Sequence, residues 1–155
     1  MTTLREELGD FSSIVCLKSI IVGMEDALGE KATAISLIAA GRARGKKLAA
    51  ELGLVNSAAS LEDAASKMAY ALGKNGTRLL VLDKVERTEN VIKVYTKETV
   101  CSAGEPQGSE RKCTFTLGAV WGALEAVLSK RLQGKHTGSV LRGDSHDIFE
   151  FTELG

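Results

Sequence analysis

Apolar positions in the first half of the chain recur with the spacing of helices. They predict a first helix over about 9–28, a second over 31–52 and a third that Ser60 begins and Gly73 ends. Ser60 stands three residues before Asp63, as in an N-terminal capping box. The middle of the first segment is rich in β-branched residues, so a strand is an alternative there. The pattern as a whole predicts three consecutive helices.

Alternation of apolar and polar residues replaces the helical spacing in the second half of the chain. Two runs of this kind, at 77–85 and 91–100, predict a hairpin whose loop covers 86–90. In the second run, Ile92 and Val94 occupy alternate positions among polar and charged residues. This run therefore predicts a strand with one buried face and one solvated face.

A fourth predicted helix, over about 113–133, follows a loop at 101–111 that contains the only proline of the chain. Two further strands, at about 137–141 and 147–152, meet in a turn at 142–145. The order is three helices, a hairpin, one helix and a second hairpin. It predicts an α+β domain of about four helices packed with a small antiparallel sheet of two hairpins.

The predicted fourth helix contains glycines at a spacing that needs a physical reason. Gly118, Gly122 and Ala126 stand four residues apart, so they form one stripe of small side chains. A glycine inside a helix is less favourable than alanine by about 1 kcal/mol. Gly41 and Gly45 repeat the spacing in the second predicted helix. Two interpretations remain open, namely close packing against another element of the chain, and a groove or dimer surface.

The segment 118–125, GAVWGALE, resembles the G-x-x-x-G-A-L-E helix of the small core subunits of the TRAPP vesicle-tethering complex. The segment VLRGD at 140–144 is similar to the turn of their closing hairpin. GRARGKKL at 41–48 is similar to their second helix. The resemblance covers about residues 10–153 and implies the TRAPP-subunit fold.

The same superfamily includes the bacterial 4-vinyl-reductase-type domains, which are described as hydrocarbon-binding. Cys113, just before the fourth predicted helix, is similar to one of the cysteines near their last helix. The chain has no cysteine at 54–60, where the closest TRAPP subunits are acylated, and none after Cys113, where the vinyl-reductase type has a closing pair. We therefore expect no cofactor and no bound metal. The resemblance divides the chain into an N-terminal extension, 1–10, and a single domain, 11–155.

The resemblance also implies an internal apolar channel and the formation of homodimers. The residues expected to line the channel are Gly118, Gly122, Trp121, Met68, Val81 and Phe149. The residues expected at the dimer interface lie in the first two predicted helices and are Ile14, Leu17, Ile21, Ile38 and Gly45. For the carboxylate of Glu125, near the small stripe, both solvent exposure and a bridge to a partner chain remain open.

Composition limits the classes of function. The chain of 155 residues carries 20 basic and 20 acidic side chains, and its zero net charge argues against nucleic acid as a partner. We expect a cytoplasmic protein, because the first residues lack the features of a secretory signal and the three scattered cysteines are typical of reduced thiols. Basic residues of the second predicted helix also allow peripheral membrane contact. They are Arg42, Arg44, Lys46 and Lys47.

The sequence contains no recognisable catalytic constellation. The ligand atoms of a metal site would have to come from Cys101, Cys113, His136 and His146. The two cysteines lack the close spacing of structural zinc ligands, so we expect no such site. We expect instead a non-enzymatic homodimer that acts through protein–protein contacts, through a small apolar ligand or acyl chain, or through both. The alternatives are a sensor or carrier of a hydrophobic molecule, and an accessory factor in tetrapyrrole metabolism, which rests on the resemblance alone.

Overall fold

Four helices and four strands make up the part of the chain that the computed structural model describes, residues 3–155. The helices are α1 (Ile14–Leu28), α2 (Glu30–Glu51), α3 (Leu61–Leu72) and α4 (Phe115–Leu128). The strands are β1 (Val81–Thr88), β2 (Val91–Lys97), β3 (Leu132–Gly138) and β4 (Asp147–Glu153). Short 3-10 turns lie at Ala58–Ser60 and Val140–Arg142. The predicted α+β class is confirmed.

The strands form one antiparallel sheet in the order β1-β2-β4-β3. The outer pairs are the two predicted hairpins, and the pairing of β2 with β4 joins them. Ile92 of β2 lies opposite Phe151 of β4, and Val94 lies opposite Phe149. All four side chains are buried and belong to the core that the sheet shares with α3 and α4. The alternation predicted for β2 is therefore confirmed.

A capping hydrogen bond decides where α1 begins, but none forms at the start of α3. α1 starts at Ile14 and not near residue 9, because the Ser13 hydroxyl accepts a hydrogen bond from the backbone N–H of Val15 (3.1 Å). Ser60 is the N-cap of α3, but its side chain makes no capping hydrogen bond. The predicted capping box at Ser60 is therefore wrong. The sequence pattern identified the residue at which the helix begins, but the hydrogen bond of a capping box is not formed.

The predicted length of α4 is wrong at its C-terminus. The helix ends at Leu128 because Ser129 adopts a left-handed conformation (φ 50°, ψ 42°), which directs the chain into β3. β3 then begins at Leu132 and not at 137. Residues 130–133 favour helices by propensity, but pairing with β4 outweighs that preference.

α2 and α4 cross with their backbones in direct contact, and glycines make this approach feasible. The glycines at the crossing are Gly41, Gly45, Gly118 and Gly122. A Cβ atom at Gly45 would overlap the carbonyl of Ala119, and one at Gly122 would overlap the carbonyl of Arg42. Of the two interpretations, both glycine pairs therefore serve close packing within the chain.

A buried carboxylate connects the crossing to the sheet. Glu125 accepts hydrogen bonds from the guanidinium of Arg42 (2.8 Å) and from the backbone N–H of Leu132 (3.0 Å). The ammonium of Lys46 lies 3.8 Å away, and the guanidinium of Arg42 stacks on the ring of Trp121 at 4.4 Å. Burial alone would raise the pKa of Glu125, but these hydrogen bonds and cations hold it below its usual value. Glu125 thus bonds within its own chain.

Most of the basic side chains of α2 that were predicted to allow membrane contact form ion pairs within the chain. Arg42 and Lys46 share Glu125, and Arg44 lies 3.5 Å from Glu51. Within residues 3–155, none of the helices combines the length and the apolar character needed to span a bilayer.

The crossing predicts a specific sensitivity to added methyl groups. Gly45→Ala and Gly122→Ala should each lower the free energy of unfolding by about 1–3 kcal/mol, because a Cβ atom there meets backbone that cannot rotate away. Chemical denaturation followed by circular dichroism measures the change.

The matched control is Gly23→Ala in α1, where a Cβ atom would meet open space. This change should stabilise the protein by about 0.5–1 kcal/mol through helix propensity. Equal effects at Gly23 and Gly45 would contradict the assignment of the crossing.

Candidate functional site

The six residues predicted to line a channel do not meet at one cavity wall. Gly118 and Gly122 face the backbone of α2. Met68, Trp121 and Phe149 are buried in the common core. Val81, on the outer strand β1, is 39% exposed. The backbone of α2 therefore covers Gly118 and Gly122. The channel stays a prediction.

The predicted interface residues divide into two groups. Ile14 and Leu17 lie on the surface of α1. Ile21 is buried in its own chain, Ile38 packs against the core, and Gly45 lies inside the α2–α4 crossing. Only Ile14 and Leu17 are thus accessible to another molecule in the monomer, and their role at an interface stays a prediction.

The surface of α1 is unusually apolar. Ile21 is its single buried residue, while six large apolar side chains are between 37% and 68% exposed. The six are Ile14, Val15, Leu17, Ile20, Val22 and Leu28. Large exposed apolar side chains in such numbers are typical of surfaces that contact another molecule. The sequence signal was the run IVCLKSIIV, which is apolar on more sides than one buried stripe requires.

A groove of about 590 Å³ lies between α1 and the loop 101–113 that precedes α4. Its apolar lining consists of Ile14, Val15, Val22, Gly23, Ala103 and Gly104. Polar groups come from Lys18, Ser19 and Asp26. The groove is broadly open to solvent, and apolar surface makes up most of its lining.

A buried polar cluster lies at the base of the same loop. Cys101 and Cys113 form a disulfide, so the prediction of reduced thiols is wrong for these two residues. Cys16 is free and exposed on α1. Both bonded sulfurs lie within 4.8 Å of a carboxylate oxygen of Asp147, which is fully buried. Sequence reasoning missed Asp147, because the segment 142–147 contains the residues of an ordinary turn.

Hydrogen bonds from three residues converge on the Asp147 carboxylate. Oδ2 accepts from the hydroxyls of Thr99 (2.8 Å) and Ser102 (2.5 Å), and Oδ1 accepts from the backbone N–H of Val140 (3.2 Å). Nε2 of His136 lies 3.3 Å from Oδ1 without the alignment of a hydrogen bond. Burial alone would raise the pKa of Asp147, but these neighbours lower it to about 2. The carboxylate is therefore ionised at neutral pH.

The cluster contains donor atoms of the zinc type, but they do not fit a metal as they stand. Thiolate sulfur, imidazole nitrogen and carboxylate oxygen are the ligands of zinc sites. Here the sulfurs of Cys101 and Cys113 are bonded to each other, so neither is a thiolate. Even in the dithiol form, the atoms close enough to share an ion would be the two sulfurs and an oxygen of Asp147, and His136 is not among them. His146, the fourth residue considered from the sequence, lies instead beside Asp83.

A second polar arrangement occupies the β3–β4 connection. Nδ1 of His146 lies 2.7 Å from the hydroxyl of Ser145, and its Nε2 lies 2.7 Å from Oδ2 of Asp83. The Asp83 side chain is about half exposed, and the ammonium of Lys97 lies 3.6 Å from it. These contacts tie the connection to β1 at the surface.

No protein-family model and no curated protein sequence matches the chain. Several solved structures, however, match the fold of the chain. The chain is similar to the phenol-responsive sensory domain of the transcription activator PoxR, solved with phenol, with a TM-score of 0.67 and 13% identity over 93% of this chain and 76% of that one. It is also similar to subunit 3 of a trafficking protein particle complex from Naegleria fowleri, covalently bound to palmitic acid. That match has a TM-score of 0.58 and 14% identity over 92% of this chain and 95% of the other. At these identities the likeness shows the fold, and the resemblance predicted from the sequence is confirmed at that level.

The Asp147 cluster predicts how stability depends on acid. Because its pKa is lowered from 3.8 to about 2, Asp147 stabilises the folded state fully above about pH 4, and this contribution is lost as the pH falls toward about 2. The contribution amounts to about 2 kcal/mol. Asp147→Asn should therefore lower the free energy of unfolding by about this amount at pH 7 and flatten its decline between about pH 4 and pH 2.

Urea denaturation across this pH range measures the effect. Asp63→Asn is the control, since Asp63 pairs with Lys67 at the exposed surface of α3, where an ion pair contributes less than about 1 kcal/mol. An unchanged pH profile in Asp147→Asn would contradict the role assigned to the buried carboxylate.

Proposed function

We propose that this chain is a non-enzymatic binding domain that pairs with a second copy through α1 and takes a small apolar molecule. The observation that carries the proposal is the exposed apolar surface of α1. A helix that buries only Ile21 in its own chain leaves most of its apolar area in water, which is unfavourable unless another molecule covers it.

The distribution of charge on α1 supports a second copy as the occupant. The helix carries three charged side chains, and two of them, Lys18 and Glu25, are turned into ion pairs with the loop 101–113. The rest of the surface is dominated by branched apolar residues. Two such faces are complementary to each other when related by a two-fold axis. Coverage of about 800 Å² per copy would correspond to an interface of standard size.

The fold and the groove together support an apolar ligand. The two similar structures bind phenol and palmitic acid according to their descriptions, and both are small or slender apolar molecules. In this chain, the groove beside α1 offers an apolar lining and about 590 Å³. A molecule of this class would gain free energy from the burial of its apolar surface. A sensor or a carrier of such a molecule is the form of the function that we favour over a role in tetrapyrrole metabolism.

The pairing predicts that charge on α1 separates the copies. Val15→Glu and Ile20→Glu, at side chains 68% and 59% exposed, should leave the fold intact. Each should raise the dissociation constant of the dimer at least about thirtyfold, since an ionised carboxylate must be desolvated at the interface. Sedimentation equilibrium measures the mass, and circular dichroism checks the fold.

Val55→Glu is the control, because Val55 is 55% exposed but belongs to the segment after α2 and not to α1. A wild-type protein that stays monomeric at high concentration, or a dimer that Val15→Glu does not weaken, would contradict the pairing.

The ligand proposal predicts binding of two probes, phenol and palmitic acid. Native mass spectrometry of the purified protein, with and without each probe, should show a bound apolar molecule. Gly23→Leu should weaken binding about tenfold or more, because the new side chain projects into the groove where a Cβ meets no other atom. Ala27→Leu adds a similar bulk to α1 at an exposed position outside the groove and should leave binding unchanged. Binding that Gly23→Leu leaves intact would place the ligand elsewhere.

A further inference from the structure

We infer that the disulfide between Cys101 and Cys113 is a redox-sensitive latch that holds α1 in place, and that thiol reductants release it. The inference concerns the anchoring of α1, whatever molecule covers its apolar face. It rests on three observations, namely the contacts of the loop 101–113 with α1, the position of the disulfide at the base of that loop, and the burial of the two sulfurs.

The loop 101–113 provides the polar anchors of α1. The ammonium of Lys18 donates to the carbonyl of Cys101 (3.3 Å) and to the carboxylate of Glu105 (3.0 Å). The guanidinium of Arg111 binds Glu25 of α1 (2.9 Å) and Glu105 (2.6 Å) at the same time. In the described part of the chain, every side-chain hydrogen bond from α1 to another element ends on this loop.

These anchors are half-buried, which makes them stronger than ordinary surface pairs. The side chains of Lys18, Glu25, Glu105 and Arg111 are all between 16% and 21% exposed. Glu105 forms ion pairs with both Lys18 and Arg111, and the hydrogen bonds from these two cations lower the pKa of its carboxyl. A charged network of this kind is sensitive to small displacements, since the attraction falls with distance and with entry of water. α1 has little else to hold it, because only Ile21 is buried.

The disulfide closes the base of the loop. It joins residues that are 12 apart in sequence, so that the Cys101 carbonyl, which binds Lys18, is covalently tied to the segment that holds Arg111. The far side of the loop is fastened independently, because Gly108 donates to the carbonyl of Leu141 (2.6 Å) and Arg142 donates to the carbonyl of Ser109 (2.9 Å). The base is also held by hydrogen bonds, from Ser102 to Asp147, from the Cys113 N–H to His136, and from Arg142 to the Arg111 carbonyl. Opening of the disulfide would remove the covalent link at the base and leave these hydrogen bonds alone to hold the residues that contact α1.

Reduction of the bond would begin at the less buried of the two sulfurs. Cys101 is 7% exposed and Cys113 is 2% exposed, so a reductant reaches Cys101 first. A reductant thiolate attacks the sulfur of Cys101, the bond between the two cysteines breaks, and Cys113 leaves as a thiolate that takes a proton. A second reductant thiol then displaces Cys101. The reductant is oxidised to its disulfide, and two electrons and two protons reach the protein as two thiols.

The carboxylate of Asp147 gives the opened pair a distinct environment. Asp147 lies within 4.8 Å of both sulfurs and is ionised, so it repels a thiolate and favours neutral thiols after reduction. Two thiols also need more room than a disulfide, because the sulfurs separate to van der Waals distance. In a compartment that keeps thiols reduced, a disulfide of this type is typical of redox sensing.

Hydrogen–deuterium exchange tests the latch in the full chain. Oxidised protein, whose disulfide is verified by mass after alkylation, is compared with protein reduced by a phosphine in the presence of EDTA, which keeps metal ions off the thiols. We expect the amides of α1 to exchange at least about threefold faster after reduction, with α3 unchanged. Cys101→Ser with Cys113→Ser should show the reduced pattern without reductant, and Cys16→Ser should behave as the wild type.

A second variant separates the latch from a general loss of stability. Lys18→Met removes the anchor on Glu105 but keeps the disulfide, so α1 should exchange rapidly in the oxidised protein and respond little to reduction. The same comparison in the Ile20→Glu background removes any protection by a second copy, so that failure of the pairing and failure of the latch give different results.

Two results would overturn the inference. One is faster exchange of residues 101–113 on reduction with no change in α1. The other is the recovery of all three cysteines as free thiols from air-oxidised protein.

Discussion

The contact between the backbones of α2 and α4 is the constraint on which the rest of the structure depends. It exists because Gly45 and Gly122 leave room for the carbonyls of the facing helix. With α2 on one side and the sheet on the other, α4 is buried on almost every face, and 12 of its 14 residues are buried. Such a helix can also bury a carboxylate, provided that the charge is matched, and Arg42 supplies the match for Glu125. The crossing and the sheet are thereby joined through one side chain, since Glu125 also binds the first residue of β3.

The same arrangement leaves α1 with an incomplete set of contacts. α2 uses its small residues against α4, so α1 packs on the outside of the bundle and buries one residue. The apolar surface that remains is too rich in branched side chains to be explained by packing within the chain. Part of this surface lines the groove, where Ile14, Val15 and Val22 belong to both, and the loop 101–113 with its disulfide lies beside it. These three features lie on one side of the molecule, which is why we treat them as one functional region.

The likeness to the solved structures concerns the backbone path more than the side chains. At 13% and 14% identity, few positions are shared, yet the order of helices and strands is retained over more than nine-tenths of this chain. A fold that depends on glycine crossings and on alternation in a sheet tolerates replacement of most other residues, since volume and pattern suffice to fill the core. The features that distinguish this chain, namely the surface of α1 and the Cys101–Cys113 bond, therefore have to be interpreted from its own contacts.

The sequence by itself determined the number and order of the elements, because periods of 3.6 and 2 residues are local properties. It also identified the glycine pairs, and it allowed the close packing that the structure shows. The end of α4 and the start of β3 were decided by tertiary structure, since strand pairing with β4 outweighed the helix propensity of residues 130–133. Tertiary structure likewise decided that Ile21 and Gly45 face the interior of the chain and which residues bind Glu125. It also brought together Cys101, Cys113 and Asp147. Each of these contacts joins residues distant in sequence, and periodicity carries no information about which faces of different elements meet.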